Sequence, residues 1–142
     1  MRETSALEGG MRRFMGDSAV WLDEAEDELL ILEEDLTAEY SNSGGPAEND
    51  LRLQNVAVAL EKLHSGCDHY QLETLSEVAE KILRLTRAVL REGDLDFNLE
   101  RLTALLLGID VLRDMLEGLE TKGVASEADT TSMDTIERAL EG

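Results

Sequence analysis

The chain has 142 residues, of which 42% are apolar and only 4% aromatic, and its formal net charge is −19. That length fits one domain with a modest core, which must be built from Leu, Val, Ile and Ala. The acidic excess argues against nucleic acid, whose binding needs basic patches that release counterions, and against anionic membrane surfaces.

One proline (Pro46) and long runs of good helix formers predict an all-α fold. Residues 1–17 hold the adjacent Gly9 and Gly10, three arginines and no clear period, so a flexible N-terminal segment is expected there. It lacks the apolar run of a signal peptide. No window approaches the roughly 18 apolar residues of a membrane span.

Ser18 is the expected N-cap of helix one, which runs to about Tyr40. Its inward positions are Trp21, Leu22, Ala25, Leu29, Leu32 and Leu36, at 3-and-4 spacing. Asp23, Glu24, Glu26, Asp27, Glu28, Glu33, Glu34 and Asp35 crowd the same helix, and no basic residue falls between Arg13 and Arg52. Such a face keeps a protein soluble; a basic partner or an adaptation to high salt are the alternatives. Ser41-Asn-Ser-Gly-Gly-Pro46 is the clearest breaker.

Helix two spans about Ala47 to Cys67, with Leu53, Val56, Leu60, Leu63 and Cys67 as its stripe. Helix three spans about Leu72 to Arg91, with Leu75, Val78, Ala79, Ile82, Leu85, Val89 and Leu90 inward and Gly93 as its C′ residue. Helix four spans about Asn98 to Thr121, with Leu102, Leu105, Leu106, Ile109, Leu112, Leu116 and Leu119 inward, and ends at Gly123. A polar linker leads to a short fifth helix, Ser132 to Leu140, whose apolar face is Met133, Ile136 and Leu140. The expected architecture is an antiparallel four-helix bundle, up-down-up-down, over residues 18–122, with the linker and short helix in 123–142.

Few residues offer chemistry. There is no glycine-rich phosphate loop, no paired CxxC and no His-x-x-x-His. His64, Cys67, Asp68 and His69 are potential ligands at helical spacing. Cys67 falls on the apolar stripe, however, and His69 is expected in the turn, so no metal and no cofactor is assigned. Nothing near Cys67 lowers its pKa as a nucleophile requires. A lone cysteine forms no internal disulfide, which suits a reducing cytoplasm. On helix three, Lys81, Arg84, Arg87 and Arg91 form a basic stripe. Glu77 and Glu80, four residues before Lys81 and Arg84, pair with part of it; the remainder is expected to face helix one or a partner.

Three stretches carry a family resemblance. They are Trp21-Leu-Asp-Glu-Ala-Glu-Asp-Glu-Leu-Leu30, then Glu61 to Leu75, then Arg91-Glu-Gly-Asp-Leu95 followed by Leu105-Leu-Leu-Gly-Ile-Asp-Val-Leu112. In this order they resemble the histidine-containing phosphotransfer (HPt) domain at the N-terminus of CheA-type chemotaxis histidine kinases. That family shows a histidine, two residues, then Lys-Gly. About ten residues after the histidine comes a Gly-Leu pair leading into the next helix. Aligning Leu72 and Leu75 with that helix start places Glu61 at the histidine, His64 at the lysine and Ser65 at the glycine.

The resemblance implies a cytoplasmic signalling module of a two-component or chemotaxis-type phosphorelay, partnered by a response-regulator receiver domain or a histidine kinase domain. The substitutions imply that it carries no phosphate and is not by itself an enzyme. Glutamate offers no nucleophile for a stable phosphoryl link. His64 is mostly neutral at pH 7 where the lysine is charged, and Ser65 adds bulk where glycine admits a partner. The implied docking surface is Glu61, Lys62, His64, Ser65 and Asp68. Two other readings stay open. One is an active phosphotransfer domain using His64 after a one-turn slip, with Cys67 then at the lysine; the other is a helical scaffold.

Overall fold

The computed structural model describes residues 2–37, 46–92, 99–122, 127 and 130–141. Among the described residues there are five helices and no strand: α1 (Arg2–Thr37), α2 (Pro46–His69), α3 (Glu73–Glu92), α4 (Leu99–Lys122) and α5 (Thr130–Glu141). Helix α1 packs on α2 and α4, and α3 packs on the same two. The short α5 lies against α3 and α4.

The apolar stripes explain this packing. Leu22, Leu29, Leu32, Leu53, Leu60, Leu63, Leu75, Ile82, Leu85, Leu102, Leu105 and Ile109 are all fully buried in one core. Each contributes roughly 1.5–3 kcal/mol of apolar burial. Trp21, Leu90, Leu106 and Leu119 pack against that core from its edge. In α5, Ile136 is fully buried and Met133 and Leu140 partly so. Gly108 lets α4 approach α3: a Cβ there would lie 2.6 Å from Ile82 Cδ1.

Two expectations at the N-terminus are corrected. Residues 2–17 are not an irregular segment but the first half of α1. Ser18 is not an N-cap; it is buried within the helix, its hydroxyl donating to the Phe14 carbonyl at 2.7 Å. The reason is tertiary. Phe14 is buried, its ring 5.4 Å from Tyr70 and 6.3 Å from Trp21. Gly10 lies beneath the Tyr70 hydroxyl, where a Cβ would be 2.7 Å away. This aromatic cluster holds the helix on either side of Gly10, one of its three glycines.

The other boundaries move by a few residues. Pro46 is the first residue of α2, a position that uses its fixed φ and needs no N–H donor. His69, expected in the turn, is the last residue of α2. Helix α5 starts at Thr130, two residues before the expected Ser132. The breaker at 41–45, the stops at Gly93 and Gly123, and the Leu36 and Arg91 side chains lie outside what the structure describes.

The α2–α3 connection is tight and closed by backbone hydrogen bonds. The Leu72 N–H donates to the Cys67 carbonyl at 2.8 Å and the Gln71 N–H to the Asp68 carbonyl at 3.1 Å. These are the two bonds of a Schellman motif, with Gln71 at C′. Its φ of 58° is left-handed, and no other non-glycine among the described residues has positive φ. Leu72, at C″, is partly buried against the same core as Cys67, the apolar contact that accompanies the motif.

Candidate functional site

The five residues singled out from the sequence all lie on the C-terminal half of α2, and the structure divides them. At 100° per residue, Glu61, His64, Ser65 and Asp68 share one strip, while Lys62 turns away from it. The strip borders α3. Glu61 is exposed and accepts a 2.6 Å hydrogen bond from Arg87 Nη2. Ser65 is exposed. Asp68 is exposed, and its Oδ1 accepts from the Ser76 hydroxyl at 2.6 Å. Lys62 lies on the other flank, in an open groove shared with Glu24, Asp27 and Glu28 of α1.

His64 is half-buried, with its Nδ1 3.9 Å from Asp68 Oδ2. That separation is too long for a hydrogen bond. Asp68 therefore does not fix the imidazole tautomer, as a catalytic histidine's carboxylate partner would. The carboxylate is instead engaged by Ser76, at the start of α3.

Two residues of the basic stripe of α3 make contacts to helices other than α1. Among the described residues the α3 backbone is not adjacent to that of α1. Arg87 reaches Glu61 of α2, and Lys81 reaches Glu137 of α5 at 2.8 Å. The acidic face of α1 is answered from other helices: Arg113 of α4 lies 2.6 Å from Asp23 and 3.5 Å from Glu26, and Arg52 of α2 lies 3.5 Å from Glu28. These contacts are partly solvated, so each is worth about 1 kcal/mol or less.

Cys67 is fully buried in the core. Burial, with a smaller contribution from the Asp68 charge, pushes its thiol up to about 12. At neutral pH it is a neutral, apolar packing group and neither a nucleophile nor a ready metal ligand. Among the described residues, no three His, Cys, Asp or Glu side chains converge as a metal ion requires. No helix of the described residues is long and apolar enough to cross a membrane.

Sequence reasoning missed two residues that shape the site. Arg87 was part of an undifferentiated stripe, because its partner Glu61 comes from another helix. Gly66 went unremarked, although a Cβ there would lie 2.1 Å from Phe14 Cε1. It is the notch in which the N-terminal half of α1 seats, on the Lys62 flank of α2 and away from the strip. The glycine next to Ser65 was a visible signal, but its use depends on a ring 52 positions earlier. Comparison of the chain with family models, with curated proteins and with solved structures returns no match.

Proposed function

We propose that the chain is an HPt-like signalling module of a cytoplasmic two-component or chemotaxis-type phosphorelay. In this reading it cannot accept phosphate and acts by docking to a receiver or kinase domain. Its four long helices form the antiparallel bundle of that family. The pairs Glu28–Arg52 and Phe14–Gly66, and the pairs Glu61–Arg87 and Asp68–Ser76, run in opposite senses along their helices, which supports this arrangement.

The observation that carries the reading is the left-handed backbone of Gln71. The family places a glycine about ten residues after its histidine, where only glycine enters the left-handed region without steric cost. Ten residues after Glu61 is Gln71, at φ 58°. Ten residues after His64 is Thr74, inside α3. The backbone therefore supports the register that puts Glu61, not His64, at the acceptor's place. Glu61 there is a solvent-facing carboxylate held by Arg87. It supplies a fixed negative charge, smaller than that of a phosphoryl group.

The test is phosphoryl transfer from an active chemotaxis-type kinase with ATP. The native protein should stay unlabelled, and the triple variant Glu61→His, His64→Lys, Ser65→Gly should take label. Labelling of the native protein that His64→Asn abolishes would establish active phosphotransfer instead. Titration with a receiver domain completes the test: no binding at micromolar concentration would leave a helical scaffold.

A further inference from the structure

Five large apolar side chains among the described residues are exposed: Val20, Leu30, Ile31, Leu51 and Val58. Isolated cases of this kind need no explanation. Four of these five, however, flank a single groove. On α1, Val20, Glu24, Asp27 and Ile31 recur at 4, 3 and 4 residues and so form one stripe. On α2, Leu51, Asn55, Val58 and Lys62 repeat the same spacing. The two stripes border the open groove between the helices, whose walls include Glu24, Asp27, Glu28 and Val58. Val20, Ile31, Leu51 and Val58 are 53, 37, 56 and 47% exposed. No described residue of the bundle covers them fully.

We infer that this α1–α2 groove is a docking site for a basic amphipathic helix of a partner protein. Charge selects that occupant. Glu28 is met by Arg52, and Glu24, Asp27 and Glu28 against Lys62 and Arg52 still leave the groove net negative, on a chain whose net charge is already −19. An acidic helix or an anionic membrane is repelled. Spacing selects a helix. From Val20 to Ile31 is eleven residues, about 16 Å or three turns at 1.5 Å per residue. A helix of about four turns, apolar on one face, covers Val20 and Val58 at one end and Ile31 and Leu51 at the other. Its flanking lysines or arginines then meet Glu24 and Asp27. This surface is a face of α2 centred about 100° from the Glu61 strip, and its argument uses nothing of the phosphorelay reading.

The probe is a synthetic helical peptide of about fifteen residues, four turns long, with leucines at 4-3-4 spacing and lysines flanking them. It is titrated calorimetrically into the full chain. Two control peptides exchange the leucines for serine or the lysines for glutamate. The parent peptide should bind at least tenfold more tightly than either control. Val58→Glu and the double variant Glu24→Gln, Asp27→Asn should each weaken it at least tenfold. All three positions are exposed, so the fold should hold, as circular dichroism would verify. Amide NMR shifts should map to residues 20–31 and 51–62. Equal binding of the serine peptide, or shifts confined to the Glu61 strip, would overturn the inference. A native dimer that Val58→Glu dissociates would overturn it too, by assigning the groove to a second copy of the chain.

Discussion

Cys67 carries the clearest single-residue consequence. Its thiol belongs to the apolar stripe of α2 and is fully buried, and burial raises its pKa from 9.0 to about 12. In the unfolded chain the thiol ionises near its ordinary value, so the unfolded state alone gains a thiolate above that pH. The stabilisation is complete below about 9 and is lost as pH climbs towards 12. Between those limits stability should fall by roughly 1.4 kcal/mol per pH unit from this group. Urea denaturation of the native chain and of Cys67→Ala at stepped pH isolates the effect. The difference between the two should shrink as pH rises from 9 to 11, and a constant difference would show that the thiol ionises in place. The native thiol should also resist alkylating reagents until the chain unfolds. At the same scale, Glu61 and Arg87 are about half exposed, so their 2.6 Å contact organises the strip more than it stabilises the fold.

At the scale of elements, the seating of α1 on α2 turns on one missing methyl group. Ala in place of Gly66 would bring a Cβ to 2.1 Å from Phe14 Cε1, and the buried ring would have to leave its place between Trp21 and Tyr70. Overpacking of this kind costs about 1–3 kcal/mol, against a helix-propensity gain of about 1 kcal/mol for Gly→Ala. Gly66→Ala should therefore destabilise the chain by up to about 2 kcal/mol. In a Phe14→Ala background the clash disappears, and the same substitution should become neutral or stabilising. Chemical denaturation of the four proteins in this cycle measures the reversal; additivity would mean that the two residues do not meet. The contact also explains what the sequence concealed. Helices α2 to α5 announce themselves through 3-and-4 stripes, because each buries one face over its described residues. The first half of α1 has Gly9 and Gly10 and no stripe of comparable clarity, and its order depends on Gly66 of α2 and on Tyr70 in the turn that follows it. Likewise the phase of the Leu60–Leu63 stripe was enough to turn Glu61 outward. The Arg87 partnership and the left-handed Gln71 needed the packing of α3 and the turn before it.

For the molecule as a whole, the decisive quantity is charge. Thirty-two acidic residues face thirteen basic ones. The cross-helix contacts of Arg52, Arg87 and Arg113 answer only part of that excess. Two effects of salt then oppose each other. Added NaCl weakens these partly solvated pairs, each worth about 1 kcal/mol or less. It also screens the repulsion among the remaining carboxylates, which the compact state concentrates and the expanded chain relieves. The second effect should win, because the uncompensated charges far outnumber the pairs and act over longer distances. The Debye length falls from about 30 Å at 0.01 M to about 3 Å at 1 M, below the width of the bundle at the upper limit. Thermal unfolding followed at 222 nm should therefore shift to higher temperature as NaCl rises across this range. A net gain of about 1 kcal/mol corresponds to roughly 4 °C at this chain length. NaCl rather than sulfate is the salt to use, since sulfate strengthens apolar burial by itself. A melting temperature that fell with NaCl would reverse the ranking and make the ion pairs, not the repulsion, the dominant electrostatic contribution to this fold.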